Sequence, residues 1–142
     1  MVFLDLATKL DGIPSADGGT LLDHALLMWT QECGQVTHYS YGLPVVTAGS
    51  AGGFFQTGLF VDYRNLNQLY DNGNPQYNDY PGLIWNQWMG TILQSMGVTR
   101  AEYETDQIGG YGYHYISPDI FEDYRQAEQV MGDPLPIITA TS

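Results

Sequence analysis

The chain has 142 residues and carries 4 lysines and arginines against 16 aspartates and glutamates, for a formal net charge of −12. This length suits one domain with its own core, and the shortage of cations argues against nucleic acid or an anionic membrane surface as partners. Only 14% of residues are charged, and no run approaches the roughly 20 apolar residues of a membrane span. The first residues show no signal peptide. Cys33 is the single cysteine, and one cysteine does not indicate whether the protein works in a reducing or an oxidising compartment.

The first half of the chain predicts a helix followed by two strands. Residues 2–10 predict a short helix that ends at Gly12. The apolar runs 25–29 and 43–49 are each typical of a strand buried on both faces, as in parallel sheets. The second run leads into the glycine-rich segment 49–53, which lacks the lysine of a phosphate-binding loop and is interpreted as a tight turn.

Residues 82–97 carry the clearest pattern, that of an amphipathic helix ending at Gly97. The polar face of this helix has no charged side chain, so we expect that face to be partly covered as well. The apolar positions form two adjacent stripes: Ile84, Trp88, Ile92 and Met96, and beside them Trp85, Met89 and Leu93.

Two further helix starts are predicted in the last third of the chain. Thr99 and Glu102 have the spacing of a capping box, and Ser117 followed by Pro118 is a second N-terminal signal. Before the amphipathic helix, residues 64–82 are too rich in Asn, Asp, Gly and Pro for regular structure. A connection this long is either functional or held by a partner.

A candidate metal site follows the first predicted strand. Glu32, Cys33 and His38 offer an oxygen, a thiolate and an imidazole, all of which bind divalent metals such as zinc. A structural role stays open as the alternative for each residue. Glu32 would then cap backbone N–H groups, Cys33 would be a small core side chain, and His38 would only be hydrogen-bonded.

The long polar loop is a candidate contact surface, because tyrosine and amide side chains suit both sugar rings and polar protein interfaces. Either a polysaccharide or a protein partner fits this composition, and so does an ordinary surface loop. The candidate residues are Tyr70, Tyr77, Asn78 and Tyr80.

Four segments in succession, DGGTLLDHALLMWTQECG, THYSYGLPVVTAGSAGG, FFQTGLFVDYR and NQWMGTILQSMGV, resemble the C-terminal part of a bacterial family of unknown function. Its members are exported proteins distantly similar to alkaline phosphatases and sulfatases, and the resemblance covers residues 18–100. It implies part of an α/β sandwich, an exported location, and Glu32 and His38 as metal ligands. Cys33 stands where that superfamily often has a histidine, which puts the usual two-metal site in doubt because thiolate is a softer ligand. The nucleophile of such proteins lies upstream of the matching part, so the chain resembles the tail of a larger protein.

These observations predict one α/β domain over residues 1–142, with a family-like core over 18–100 and a C-terminal extension over 101–142. The predicted function is that of a non-catalytic structural or assembly subunit, which associates with itself or with another protein. The alternative is part of a metal-dependent hydrolase of phosphate or sulfate esters that another chain completes. Catalysis by the chain alone is not expected in either case.

Overall fold

The structure is a computed structural model with a small mixed α/β fold. In the part that it describes, three helices accompany one antiparallel pair of strands. The chain divides into two compact units, one of Met1–Val61 with Ile137–Ser142 and the other of Asp62–Pro136. The described residues are 2–34, 42–67, 69, 80, 82–83, 85–103 and 134–140.

The first unit begins with helix α1, Val2–Asp11, which confirms the helix predicted over residues 2–10. Ala7 is the buried residue of α1, while Lys9 pairs with Asp5 across one turn at 2.7 Å. The Gly12 N–H still reaches Thr8 O at 3.1 Å, and the chain then reverses. The helix therefore ends where the glycine was expected to end it.

The two predicted strands exist, but their predicted surroundings are wrong. Strand β1, Leu27–Thr30, pairs antiparallel with strand β2, Val45–Ala48, so the chain reverses direction between them. Neither strand is buried, since Trp29 is 49% exposed and Val46 is 45% exposed. An apolar run predicts extended structure, but it cannot show that a second layer covers the strand. The α/β class is confirmed in this mixed arrangement, while the alkaline-phosphatase-like sandwich stays a prediction.

The glycine-rich segment 49–53 forms the predicted tight turn. It packs on the turn before β1: the Ala51 N–H donates to Ala25 O at 2.9 Å, and the Gly52 N–H donates to Asp23 O at 2.8 Å. Gly49 has a φ of 91°, and a Cβ there would lie 2.2 Å from Ala25 O. Only glycine permits both this backbone conformation and this close approach.

A C-terminal segment pairs with the chain just after the glycine-rich turn. The Gln56 N–H donates to Ile138 O at 2.7 Å, and the Ala140 N–H donates to Phe54 O at 2.8 Å. The Gln56 side-chain amide adds bonds to two further carbonyls of this segment. Phe55, at the centre of this pairing, is 6% exposed. The first unit is thus closed by residues more than eighty positions apart.

The second unit contains α2, Trp85–Ser95, and α3, Arg100–Tyr103. Helix α2 confirms the amphipathic helix predicted over 82–97. As expected for an uncharged polar face, Gln87 and Thr91 are buried along with Trp88. Met96 lies beyond the helix and is 72% exposed, so the predicted apolar stripe does not extend that far.

The capping box before α3 is present as predicted. Glu102 Oε2 accepts both the Thr99 backbone N–H and the Thr99 hydroxyl, each at 2.7 Å. These two bonds lower the pKa of Glu102, because they favour its ionised form. The helix start predicted at Ser117 and Pro118 lies outside the described residues.

Candidate functional site

The first candidate site follows β1, where Glu32 and Cys33 are the second and third residues after the end of the strand. The base of the intervening segment is closed by the pairing of Thr30 with Val45, and the Thr30 hydroxyl donates to Pro44 O at 2.8 Å. Glu32 is exposed, and Cys33 is half-buried and forms no disulfide. His38 lies outside the described residues.

Glu32 and Cys33 together offer one carboxylate and one thiol to a metal. A structural zinc ion takes four such ligands, and a catalytic one takes three with an open position. Within the described ranges, no three His, Cys, Asp or Glu side chains are grouped so that they could hold a metal ion. The metal site therefore stays a prediction that depends on His38 or on another chain.

Sequence reasoning missed the most unusual surface of the first unit, an apolar sheet face. Trp29 and Val46 are directly opposite each other in the register, with the pair Leu27 and Ala48 beside them on the same face. We call these four residues the Trp29 face. Trp29 and Val46 are both close to half exposed. The signal for this face is the pair of apolar runs 25–29 and 43–49, a pattern that is equally typical of a buried strand.

A cluster of ionisable groups lies in the turn before β1. His24 Nε2 is 3.4 Å from Asp17 Oδ1 and 3.1 Å from Gly18 O. The Ser15 hydroxyl donates to the same Asp17 oxygen, and this bond is the main cause of a lowered Asp17 pKa. Because Ser15 and His24 both contact the carboxylate and not each other, histidine does not activate the hydroxyl as a catalytic triad requires. The cluster organises the turn.

The second unit has an ion pair next to the predicted contact loop. Arg64 donates to Asp62 from Nε at 2.9 Å and from a terminal nitrogen at 2.7 Å. This bidentate contact lowers the pKa of Asp62 to about 2. The same hydrogen bond to Asp62 raises the pKa of Arg64. Tyr80, a predicted contact residue, is half-buried. The other predicted contact residues, Tyr70, Tyr77 and Asn78, lie outside the described part.

The neighbouring Tyr63 connects this ion pair to the last described segment of the unit. Its hydroxyl donates to Pro136 O at 2.6 Å, and the backbone of Arg64 forms a bridge with Gly82. A Cβ at Gly82 would lie 2.8 Å from Tyr63 O, so the two backbone segments approach closely there. The motif around Asp62 therefore acts as a structural junction within its unit.

The buried face of α2 contains an unusual polar atom. Gln87 is 3% exposed, and its Oε1 has no hydrogen-bond partner in the described structure. One turn along, the Thr91 hydroxyl donates to Gln87 O at 2.6 Å. Burying a hydrogen-bond acceptor without a donor destabilises the folded protein. The buried face of α2 therefore contains polar as well as apolar groups.

The chain matches no protein-family model, no curated protein and no solved structure. The resemblance to exported alkaline-phosphatase-like proteins is therefore carried by the sequence segments alone. A bilayer-crossing helix needs about 20 apolar residues. None of the helices in the described part of the chain has that length and hydropathy.

Proposed function

We propose that the chain is a non-catalytic structural or assembly subunit, whose Trp29 face is covered by protein in the working assembly. The observation that carries this proposal is the exposed pair Trp29 and Val46 on the sheet, which has two strands in the described part of the chain. A two-stranded sheet is marginal in water, and contiguous exposed apolar surface on a soluble protein is typical of an interface.

The distribution of apolar side chains supports the same proposal. Among the described residues, the buried hydrophobic side chains are only Ala7, Phe55, Trp88 and Leu135. Sixteen large hydrophobic residues of this described part are exposed, including three on α1: Val2, Leu4 and Leu6. Single exposed leucines are ordinary, but a helix and a sheet of one unit that both expose large apolar side chains support the proposal that a partner covers part of this unit.

The proposal includes the family relationship and the location that the sequence implies. On this view the chain corresponds to the C-terminal part of an exported alkaline-phosphatase-like protein and works outside the cytoplasm. The four sequence segments over residues 18–100 are the support for both statements.

The second candidate function is part of a metal-dependent ester hydrolase that another chain completes. The residues Glu32 and Cys33, which follow β1, favour it because they are two metal-binding residue types next to each other in the sequence. A metal there would supply Lewis-acid chemistry. These residues would hold the ion, and the nucleophile would come from the other chain.

Metal analysis of the purified protein, combined with its mass in solution by light scattering, distinguishes the two functions. We expect metal far below one equivalent and a particle heavier than one 15.8 kDa chain. Trp29→Ser should reduce the mass, whereas Phe60→Ser, at a residue that is 96% exposed and outside both strands, should not. Stoichiometric zinc that is lost in Glu32→Gln or His38→Ala would overturn the structural function and support the hydrolase.

A further inference from the structure

We infer that residues 137–140, which we call the strap, open from residues 54–56 while the rest of the first unit stays folded. The hinge of this motion is Ile137, and the side chain that it uncovers is Phe55. The inference concerns a motion within one chain, so it does not depend on the proposed function or on any partner.

The backbone of Ile137 is strained. Its φ is 74°, in the left-handed region, where a β-branched residue is a steric outlier. The side chain is 61% exposed, so little burial compensates for this conformation. A strained backbone persists only while the surrounding contacts hold it, and opening of the strap would release it.

The chain is firmly held up to the residue before this hinge. The Leu135 N–H is bonded to the Thr91 hydroxyl, and the Pro136 carbonyl accepts the Tyr63 hydroxyl. These contacts belong to the second unit, which ends at Pro136, and Ile137 is the next residue. A change in the Ile137 backbone can therefore move the strap without disturbing the segment before it.

The attachment of the strap is centred on Gln56, an exposed residue. Its backbone N–H donates to Ile138 O at 2.7 Å. Its side-chain amide donates to Ile137 O at 2.9 Å and to Thr139 O at 3.0 Å, with one hydrogen for each carbonyl. Hydrogen bonds that water can replace contribute little net stability, so this attachment is readily broken.

Burial of apolar side chains does not hold the strap either. All four strap residues lie in the described part of the chain, and none of their side chains is fully buried. Segments with few buried apolar contacts and exposed hydrogen bonds open locally at a lower free energy than the whole fold. The strap has both properties.

Opening would expose Phe55, which is 6% exposed while the strap is closed. Phe55 forms an antiparallel bridge with Thr139, and the backbone hydrogen bonds lie on either side of this pair rather than within it. In such a pair the two side chains lie closest together. Release of Thr139 therefore removes a direct neighbour of the buried ring, and the strap acts as a conformational switch that controls the exposure of Phe55.

Hydrogen exchange of the unmodified protein, read by NMR, tests the separate opening. The N–H groups of Gln56 and Ala140 both donate across the strap, whereas the Ala51 N–H donates within the packed turn of the same unit. An open population of about 0.1–10% would protect Gln56 and Ala140 equally, by about 10- to 1,000-fold. Ala51 should be protected at least about ten-fold more strongly.

Two results of this measurement would overturn the inference. If Gln56 is as strongly protected as Ala51, the strap does not open separately. If Ala140 is much less protected than Gln56, only the end of the chain frays.

Two glycine variants test the hinge. Ile137→Gly removes the strain, so exchange of the Gln56 and Ala140 amides should slow about three-fold. Ile138→Gly gives the open chain the same extra freedom but relieves no strain, since Ile138 does not have a positive φ, so exchange should become faster. Faster exchange in both variants would show that Ile137 is not the hinge.

The attachment is tested by Gln56→Ala, which removes the two side-chain bonds and keeps the backbone bond. The Ala140 amide should then exchange about ten-fold faster. Thr57→Ala, at the neighbouring exposed residue, should leave that rate unchanged. An Ala140 rate that is the same in Gln56→Ala and Thr57→Ala would overturn the role of Gln56 in holding the strap.

Discussion

The Thr91 side chain holds the backbone of Leu135 in place, since its hydroxyl accepts the Leu135 N–H at 2.8 Å across 44 positions of sequence. Thr91 is fully buried, and the same hydroxyl donates to Gln87 O within α2. One side chain therefore satisfies two backbone groups, and it fixes Leu135, itself 5% exposed, against the helix.

Thr91→Val keeps the shape of this side chain and removes both bonds. We expect the free energy of unfolding to fall by about 1–3 kcal/mol, because the buried Leu135 N–H loses its acceptor. Thr91→Ser retains the hydroxyl, so the free energy of unfolding should fall by less in that variant. Urea unfolding followed by circular dichroism measures this, with the exposed Thr57→Val as control. Equal stability of Thr91→Val and Thr57→Val would contradict the assignment.

Two glycines of the tight turn give a matched test of close packing. Gly49→Ala should destabilise the protein by about 3 kcal/mol or more, because the new Cβ would meet Ala25 O and Leu22 O in a left-handed backbone. Gly52→Ala has a similar φ of 71° but open space around the Cβ, so it should cost about 1–2 kcal/mol. Thermal unfolding measures both. If Gly52→Ala lowers the stability more than Gly49→Ala does, the turn does not pack on residues 22–25 in the way described.

The Asp62 carboxyl should titrate at a pH of about 2, below its ordinary 3.8, because Arg64 donates to its ionised form. A lowered pKa in the folded state means that the stabilisation is complete above the ordinary value and disappears as the pH falls toward about 2. Since the pair is largely exposed, its contribution to stability should be below about 1 kcal/mol.

Carbon-13 NMR of the carboxyl groups measures this titration directly. Arg64→Gln should move the Asp62 midpoint up toward 3.8, whereas Lys9→Gln, which removes a cation from the other unit, should leave it in place. An unchanged midpoint in Arg64→Gln would show that the bidentate contact is not formed in solution.

The capping box before α3 should control local opening of that helix. Thr99→Ala removes the hydroxyl bond to Glu102, so the backbone amides of α3 should exchange with solvent about five-fold faster. Because the Glu102 pKa is lowered by these bonds, the protection should also decrease as the pH falls through the titration of Glu102. Glu102→Gln should remove this pH dependence. Hydrogen exchange read by NMR gives both results, and equal exchange rates in Thr99→Ala and the unmodified chain would count against the cap.

Local signals predicted local structure well. The helix over 2–10, the amphipathic helix over 82–97 and the capping box at Thr99 are all confirmed, because periodicity, caps and glycine stops act within a few residues. The tight turn at 49–53 was predicted for the same reason. The Trp29 face was missed, since the same apolar run describes a buried strand and an uncovered one.

The sequence by itself determined where the described helices and strands form, and it determined that residues 33–61 carry no charge. Only the tertiary structure decided that β1 and β2 run antiparallel, that Trp29 and Val46 remain half exposed, and that Thr91 holds Leu135. Those features depend on which segments that are distant in sequence pack against each other, and local sequence preferences carry no information about that packing.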